Sequence, residues 1–151
     1  MQLILRKGLW SGRGSVLTEG ASLGQSITLD GEVVDELDGL TITGAISGSY
    51  SVPISVRVAP NEVGTYIIDA RLGKVAFDGI AKLESEPNHA LLWHEAGIYS
   101  ASVSLFSIGG GLGCRGFFRD AKGALTWEMQ LQPKQHAVGG ANVVSLARRR
   151  R

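Results

Sequence analysis

The chain has 151 residues, which fits one domain able to bury a sizeable core, and its 44% apolar and 19% charged residues with only four prolines exclude a disordered tract. A single cysteine excludes an internal disulfide and a cysteine-based zinc site, and no apolar run approaches the length of a transmembrane helix. The formal charge is +1, but four of the 15 basic residues are Arg148–Arg151; the body holds 11 basic against 14 acidic residues, which excludes the broad basic face of a nucleic-acid-binding domain.

In chain order, the segment Met1–Lys7 lacks the basic-then-apolar order and cleavage site of a signal peptide, so a cytoplasmic location, with no membrane partner, is expected. From there the dominant signal is period two. Ile27, Leu29, Gly31 and Val33 alternate with polar residues. Leu40, Ile42, Gly44 and Ile46 follow the same rule, as do Val52, Ile54, Val56 and Val58. The pattern returns in Val75–Leu83, in Tyr99, Ala101, Val103 and Leu105, and in Leu125, Trp127, Met129 and Leu131. Successive side chains of a strand point to opposite faces, so each run predicts a strand with one buried face.

Turn signals at Asp38-Gly39, Pro60-Asn61, Leu72-Gly73, Pro87-Asn88 and Lys122-Gly123 separate the runs. The predicted strands are about 8–17, 24–34, 38–47, 51–58, 63–71, 74–84, 89–94, 97–107, 112–119 and 123–132. Connections of a few residues join antiparallel strands and are too short for helical crossovers. The expected architecture is therefore all-β: an antiparallel up-and-down barrel of eight to ten strands over residues 1–134, followed by a tail, 135–151, that is a short helix or disordered. A two-sheet sandwich buries the same faces and is the alternative. Glycine, at 21 residues, is about twice its usual share; Gly31, Gly44, Gly79 and Gly116 fall inside strands, where they permit bends or leave space within a barrel.

The first strand opens with Gly8-Leu9-Trp10-Ser11-Gly12-Arg13-Gly14. This resembles the Gly-x-Trp-x-Gly-x-Gly start of lipocalin-like (calycin) barrels, including the nitrobindin-like group. The resemblance covers seven residues. It implies that Trp10 closes the base of the barrel and packs against a basic side chain of a late strand, for which Arg115 and Arg119 are the candidates. In the nitrobindin-like group a histidine ligates haem iron from inside the barrel. None of His89, His94 and His136 is aligned with that position, so neither haem nor any other cofactor is assigned.

Other residues offer chemistry only as alternatives. His89 and His94 flank Ala90–Trp93 and face opposite sides of a strand, which does not make a metal pair. Asn88, His94 and Glu95 would line an entrance if their strand ends at a barrel mouth, with His94 beside a carboxylate as a general base. The plainer reading is a strand whose Leu91 and Trp93 pack inward, or one buried on both faces. Cys114 is read as a small core residue, although Arg115 next to it would lower a reactive thiol's pKa. Ser107–Gly113 is a Gly-rich turn between strands, or a flap over a mouth. The Arg148–Arg151 run is read as a solvated end.

The functional expectation is a non-enzymatic binding module for a small, mostly apolar molecule held in the barrel. Trp10, Tyr66, Phe77, Tyr99 and Trp127 would form its wall, and Arg115 or Arg119 would neutralise an anionic head group. A second reading is a filled barrel that associates through its outer face, since Ile67, Ile80, Leu92, Phe106 and Phe117 fall opposite the proposed interior; a homodimer is the simplest cover. A third is an isomerase or cyclase using the cavity, which needs an inward acid or base.

Overall fold

The alternation along the chain is realised as ten strands: β1 (Gly8–Thr18), β2 (Gln25–Glu36), β3 (Gly39–Ser47), β4 (Ser51–Pro60), β5 (Tyr66–Leu72), β6 (Val75–Lys82), β7 (Asn88–Trp93), β8 (Ser100–Ile108), β9 (Gly111–Asp120) and β10 (Gly123–Pro133). The computed structural model describes residues 3–49, 51–94 and 96–134; the expected tail, with His136 and Arg148–Arg151, lies outside them. Each strand pairs antiparallel with the next, and β1 pairs with β10, so the sheet closes on itself as an up-and-down barrel. The sandwich alternative is thereby excluded. The fold is compatible with a calycin-like barrel.

Closure leaves no strand edge unpaired, which removes the template for edge-to-edge aggregation. The connections at Leu37–Asp38, Gly73–Lys74, Gly109–Gly110 and Ala121–Lys122 are two residues long, and Gly73 (φ 62°) and Gly110 (φ 80°) take left-handed conformations that side chains disfavour. Inside strands, glycine serves close approach. Gly31 and Gly44 face each other, and a Cβ on Gly44 would lie 2.1 Å from the Asp30 carbonyl oxygen. Gly116 lies under Trp127, whose ring would meet a Cβ at 2.5 Å. Gly44 thus sits against the backbone of β2 and Gly116 is covered by the Trp127 ring, so neither position leaves open space.

The inward face is continuous around the barrel. Trp10, Val33, Leu40, Val58, Tyr66, Ile68, Ala70, Phe77, Ala81, Leu112, Met129 and Leu131 form one buried cluster. The two ends differ. At the end where β1 begins, Trp10, Val33, Leu40, Val58, Tyr66, Ala81, Asn88 and Leu112 are all buried, and Leu3, Ile4 and Leu5 pack onto the cluster from the segment before β1. At the opposite end the inward residues Val16, Ile27, Ile46, Val52, Val75, Tyr99, Phe118 and Leu125 are only half-buried. The barrel is therefore plugged at the Trp10 end and more accessible at the other.

Strand β7 corrects one expectation. Its inward residues are Asn88, Ala90 and Leu92, whereas Leu91 and Trp93 are 57% and 43% exposed. The register is held by Asn88, which is buried and whose Nδ2 donates to the carbonyls of Leu83 (3.2 Å) and Ser85 (3.0 Å). Leu92 then fits against Gly79 on β6, where any Cβ would stand 2.3 Å from its methyl carbon. A satisfied polar side chain and a glycine socket outweigh the larger apolar areas of Leu91 and Trp93. Leu92 accordingly leaves the expected outer apolar set, and Leu91 and Trp93 join it.

Candidate functional site

The closed end is built from hydrogen bonds as well as apolar packing. The Trp10 indole N–H donates to the Arg6 carbonyl at 2.8 Å, tying the segment before β1 across the barrel base. Tyr66 is buried beneath the β6–β7 loop, and its hydroxyl reaches the Glu84 carboxylate at 3.4 Å. Burial, and then the Glu84 charge, push the Tyr66 phenol up from its ordinary value. The Glu86 carboxylate accepts from the Ser107 amide (2.9 Å) and hydroxyl (2.7 Å), which binds the same loop to β8 and holds the Glu86 carboxyl below its ordinary value. The Gly-rich turn at Gly109–Gly110 lies at this closed end, so it does not form a flap over the open mouth.

The open half carries an aromatic group. Phe77 is buried and meets Tyr99 and Phe118 edge-on at centroid distances of 6.4 and 6.0 Å; Tyr99 stacks on Phe118 at 6.0 Å. His94, just past β7, presents its ring to Tyr99 at 5.4 Å. Its Nδ1 accepts from the Ala96 amide (3.2 Å), which leaves Nε2 to carry the proton of the neutral ring. Backbone bonds from His94 N–H to Tyr99 O and from Gly97 N–H to His94 O shape this rim. Phe118 and His94 were not singled out as wall residues in the sequence; the period-two phase of β9, counted from Leu112, would have marked Phe118.

The seven expected site residues divide. Trp10, Tyr66, Phe77, Tyr99 and Trp127 all take inward positions, with Trp10 and Tyr66 in the plugged base and Phe77, Tyr99 and Trp127 in the more open part. Arg115 and Arg119 do not. Cys114, Gly116 and Phe118 occupy the inward phase of β9, so the two arginines point to the outside and are exposed. Arg115 pairs with Glu128 at 2.9 Å and lies 5.7 Å from the centre of the Phe106 ring, on the outer wall. Neither arginine therefore supplies the basic partner expected for Trp10, whose indole N–H is bonded instead to the Arg6 carbonyl. No strand lysine or arginine (Arg13, Arg57, Arg71, Lys82, Arg115, Arg119) is directed inward among the described residues.

Cys114 is the core residue expected. Burial pushes its thiol up, opposed by a hydrogen bond from Trp127, which corrects the idea that Arg115 activates it. Asn88, read as an entrance residue, belongs to the closed end, and Glu95 lies outside the described residues. The carboxylates Asp69, Asp78 and Glu128 face outward, and no group of three or more His, Cys, Asp or Glu side chains comes together as a metal site among the described residues. His89 is exposed on the outer wall, bonded to Ser104 at 2.9 Å. Of the histidines described, only His94 is turned to the interior. Its ring is packed against Tyr99.

Two grooves open on the outer wall. One, of about 370 Å³, runs over Ser11, Arg13, Thr28, Asp30 and Gln130; the other, of about 440 Å³, lies among Ser15, Leu17, Arg115, Gly116, Trp127 and Glu128, so Trp127 also lines a groove of the wall. Both are open and neither holds a cluster of catalytic groups. No helix is long and apolar enough to cross a membrane among the described residues. Comparison with family models, curated proteins and solved structures finds no match to this chain.

Proposed function

We propose that the protein binds a small, uncharged, mostly apolar molecule in the open half of its barrel, without chemistry on it. The observation that carries this reading is the contrast between the two ends: a base plugged by Trp10, Tyr66 and Asn88, and a half-buried apolar wall opposite, with no side chain less than 2% exposed among the described residues. Ten strands tilted as in known barrels close at a backbone radius of about 10 Å, wider than an eight-stranded barrel filled by its own side chains. At the end opposite the plug the inward side chains are only half-buried, and apolar surface left to water in a concave site is what a small ligand covers.

The wall also supports the class of ligand. Inward strand positions between the strand ends are apolar apart from Asn88, whose amide donates to backbone, and Tyr66, bonded to Glu84; at the ends the inward phase is continued by Thr18, Gln25, Asp35, Ser107 and Asp120, whose carboxylate accepts from the turn amides of Lys122 and Gly123. A buried carboxylate or ammonium would meet no counter-charge, at a cost of several kcal/mol. Stacked Tyr99 and Phe118 favour a flat apolar body, and His94 Nε2 offers one polar contact at the rim.

Titration with a neutral polycyclic probe, 1-aminoanthracene, followed by tryptophan quenching and probe fluorescence, tests this. Saturable one-to-one binding, weakened by Tyr99→Ala, is expected. A second reading, a barrel filled by its own side chains, draws on the twelve-residue core cluster. It is the conclusion if neither this probe nor smaller apolar molecules bind.

A further inference from the structure

Cross-strand register places Ile67, Ile80, Leu91, Ser102 and Phe117 in one row on the outer wall from β5 to β9, each opposite the next. The four apolar members are 51%, 37%, 57% and 41% exposed, and single exposed residues are ordinary where a contiguous row is not. The adjacent row toward the open end runs Asp69, Asp78, Trp93, Ser100 and Arg119. Asp69 and Asp78 stand directly opposite one another, an arrangement that repels. Neither of them, nor Arg119, makes an ion pair among the described residues.

We propose that this face binds a second copy of the chain, because it is complementary to itself. Consider a two-fold axis in the contact plane, running along the strands between β7 and β8. It exchanges β6 with β9 and β7 with β8. Ile80 of one copy then covers Phe117 of the other. The bulky Leu91 and Trp93 stand on Ser102 and Ser100, and Asp78 meets Arg119, which also relieves the repulsion with Asp69. Every contact occurs twice. In the next row Lys82 meets Arg115, whose charge is already held by Glu128. An apolar strip flanked by polar rows is the anatomy of a protein interface. The strip spans about 20 Å across five strands of a convex wall, short of a standard interface, so the dimer is concentration-dependent.

Sedimentation velocity of the full chain from about 1 to about 200 µM tests the proposal. A monomer–dimer equilibrium is expected. Leu91→Lys, at an exposed position, is expected to weaken it by about thirtyfold or more because the site occurs twice in the interface. Asp78→Arg and Arg119→Asp are each expected to weaken it, and the two together to restore it. Circular dichroism melts establish that each variant is folded. A monomer throughout the range overturns the proposal. So does a dimer indifferent to all these substitutions, which would use another surface. A double variant no tighter than either single one overturns the Asp78–Arg119 pairing and the two-fold axis with it.

Discussion

Trp10 shows how one side chain serves both stability and shape. It is 6% exposed, fills the barrel base and spends its only polar hydrogen on the Arg6 carbonyl. Trp10→Ala is expected to lower unfolding free energy by about 3–5 kcal/mol in urea denaturation. Glycine positions make a sharper comparison. Gly44→Ala must push strand β2 away, since its Cβ would lie 2.1 Å from the Asp30 carbonyl oxygen, whereas the nearest atoms to a Cβ on Gly24 are at 3.4 Å. A large fall in melting temperature is expected for Gly44→Ala and little change for Gly24→Ala. Cys114 supplies a pH signature. Because burial raises its thiol in the folded state, folding holds that proton more tightly than the unfolded chain does. The contribution is intact below the unfolded thiol's value, about 8.5, and is lost as pH rises through it toward the folded value. Tyr66, raised for the same reason, acts in the same direction at higher pH. Stability measured from pH 7 to 10 is expected to fall, less steeply in Cys114→Ala.

At the scale of elements, the β6–β7 loop is the most heavily tied connection. Asn88 bonds Leu83 and Ser85, Tyr66 reaches Glu84, and Glu86 holds both the amide and hydroxyl of Ser107. The Glu86 carboxyl is held below its ordinary value, so this clamp is present above the unfolded carboxylate's range and is lost as pH falls through the folded value. Glu86→Ala is expected to speed hydrogen exchange at the Ser107 amide near neutral pH while leaving the Tyr99 amide unchanged. The same loop explains why strand β7 was the least legible element. Period two reads Leu91 and Trp93 as inward as easily as Leu92, and no local preference separates the phases. The deciding groups, the Leu83 and Ser85 carbonyls and the Gly79 socket, come from the loop before β7 and from its neighbour β6.

At the scale of the molecule, the base is plugged and the opposite end half-buried, and under the proposed function the absence of inward strand cations among the described residues favours a neutral ligand. An anionic analogue, anthracene-9-carboxylate, is expected to bind at least about tenfold more weakly than 1-aminoanthracene at pH 7. Equal binding would reject the neutral class while leaving binding in the barrel intact. Loss of both would reject binding in the barrel.

By itself the sequence determined that there are eight to ten strands, where most of them turn, that they run antiparallel, and which residues of six of them, β2, β3, β4, β6, β8 and β10, face inward. Those properties are local: side-chain alternation, turn chemistry and connection length are complete within a few residues. Arg115 and Arg119 face outward against expectation although the phase of β9 is legible, since both are odd where Leu112, Cys114, Gly116 and Phe118 are even. Only the tertiary structure decided the closure of β1 on β10, the phase of β7, and which end is plugged. Each depends on groups far apart in the chain, such as Leu3–Leu5 on the core or Trp10 beside Gly31 across β1 and β2. Ring closure sets the shear and hence which distant side chains share a level, and no stretch of sequence contains that information.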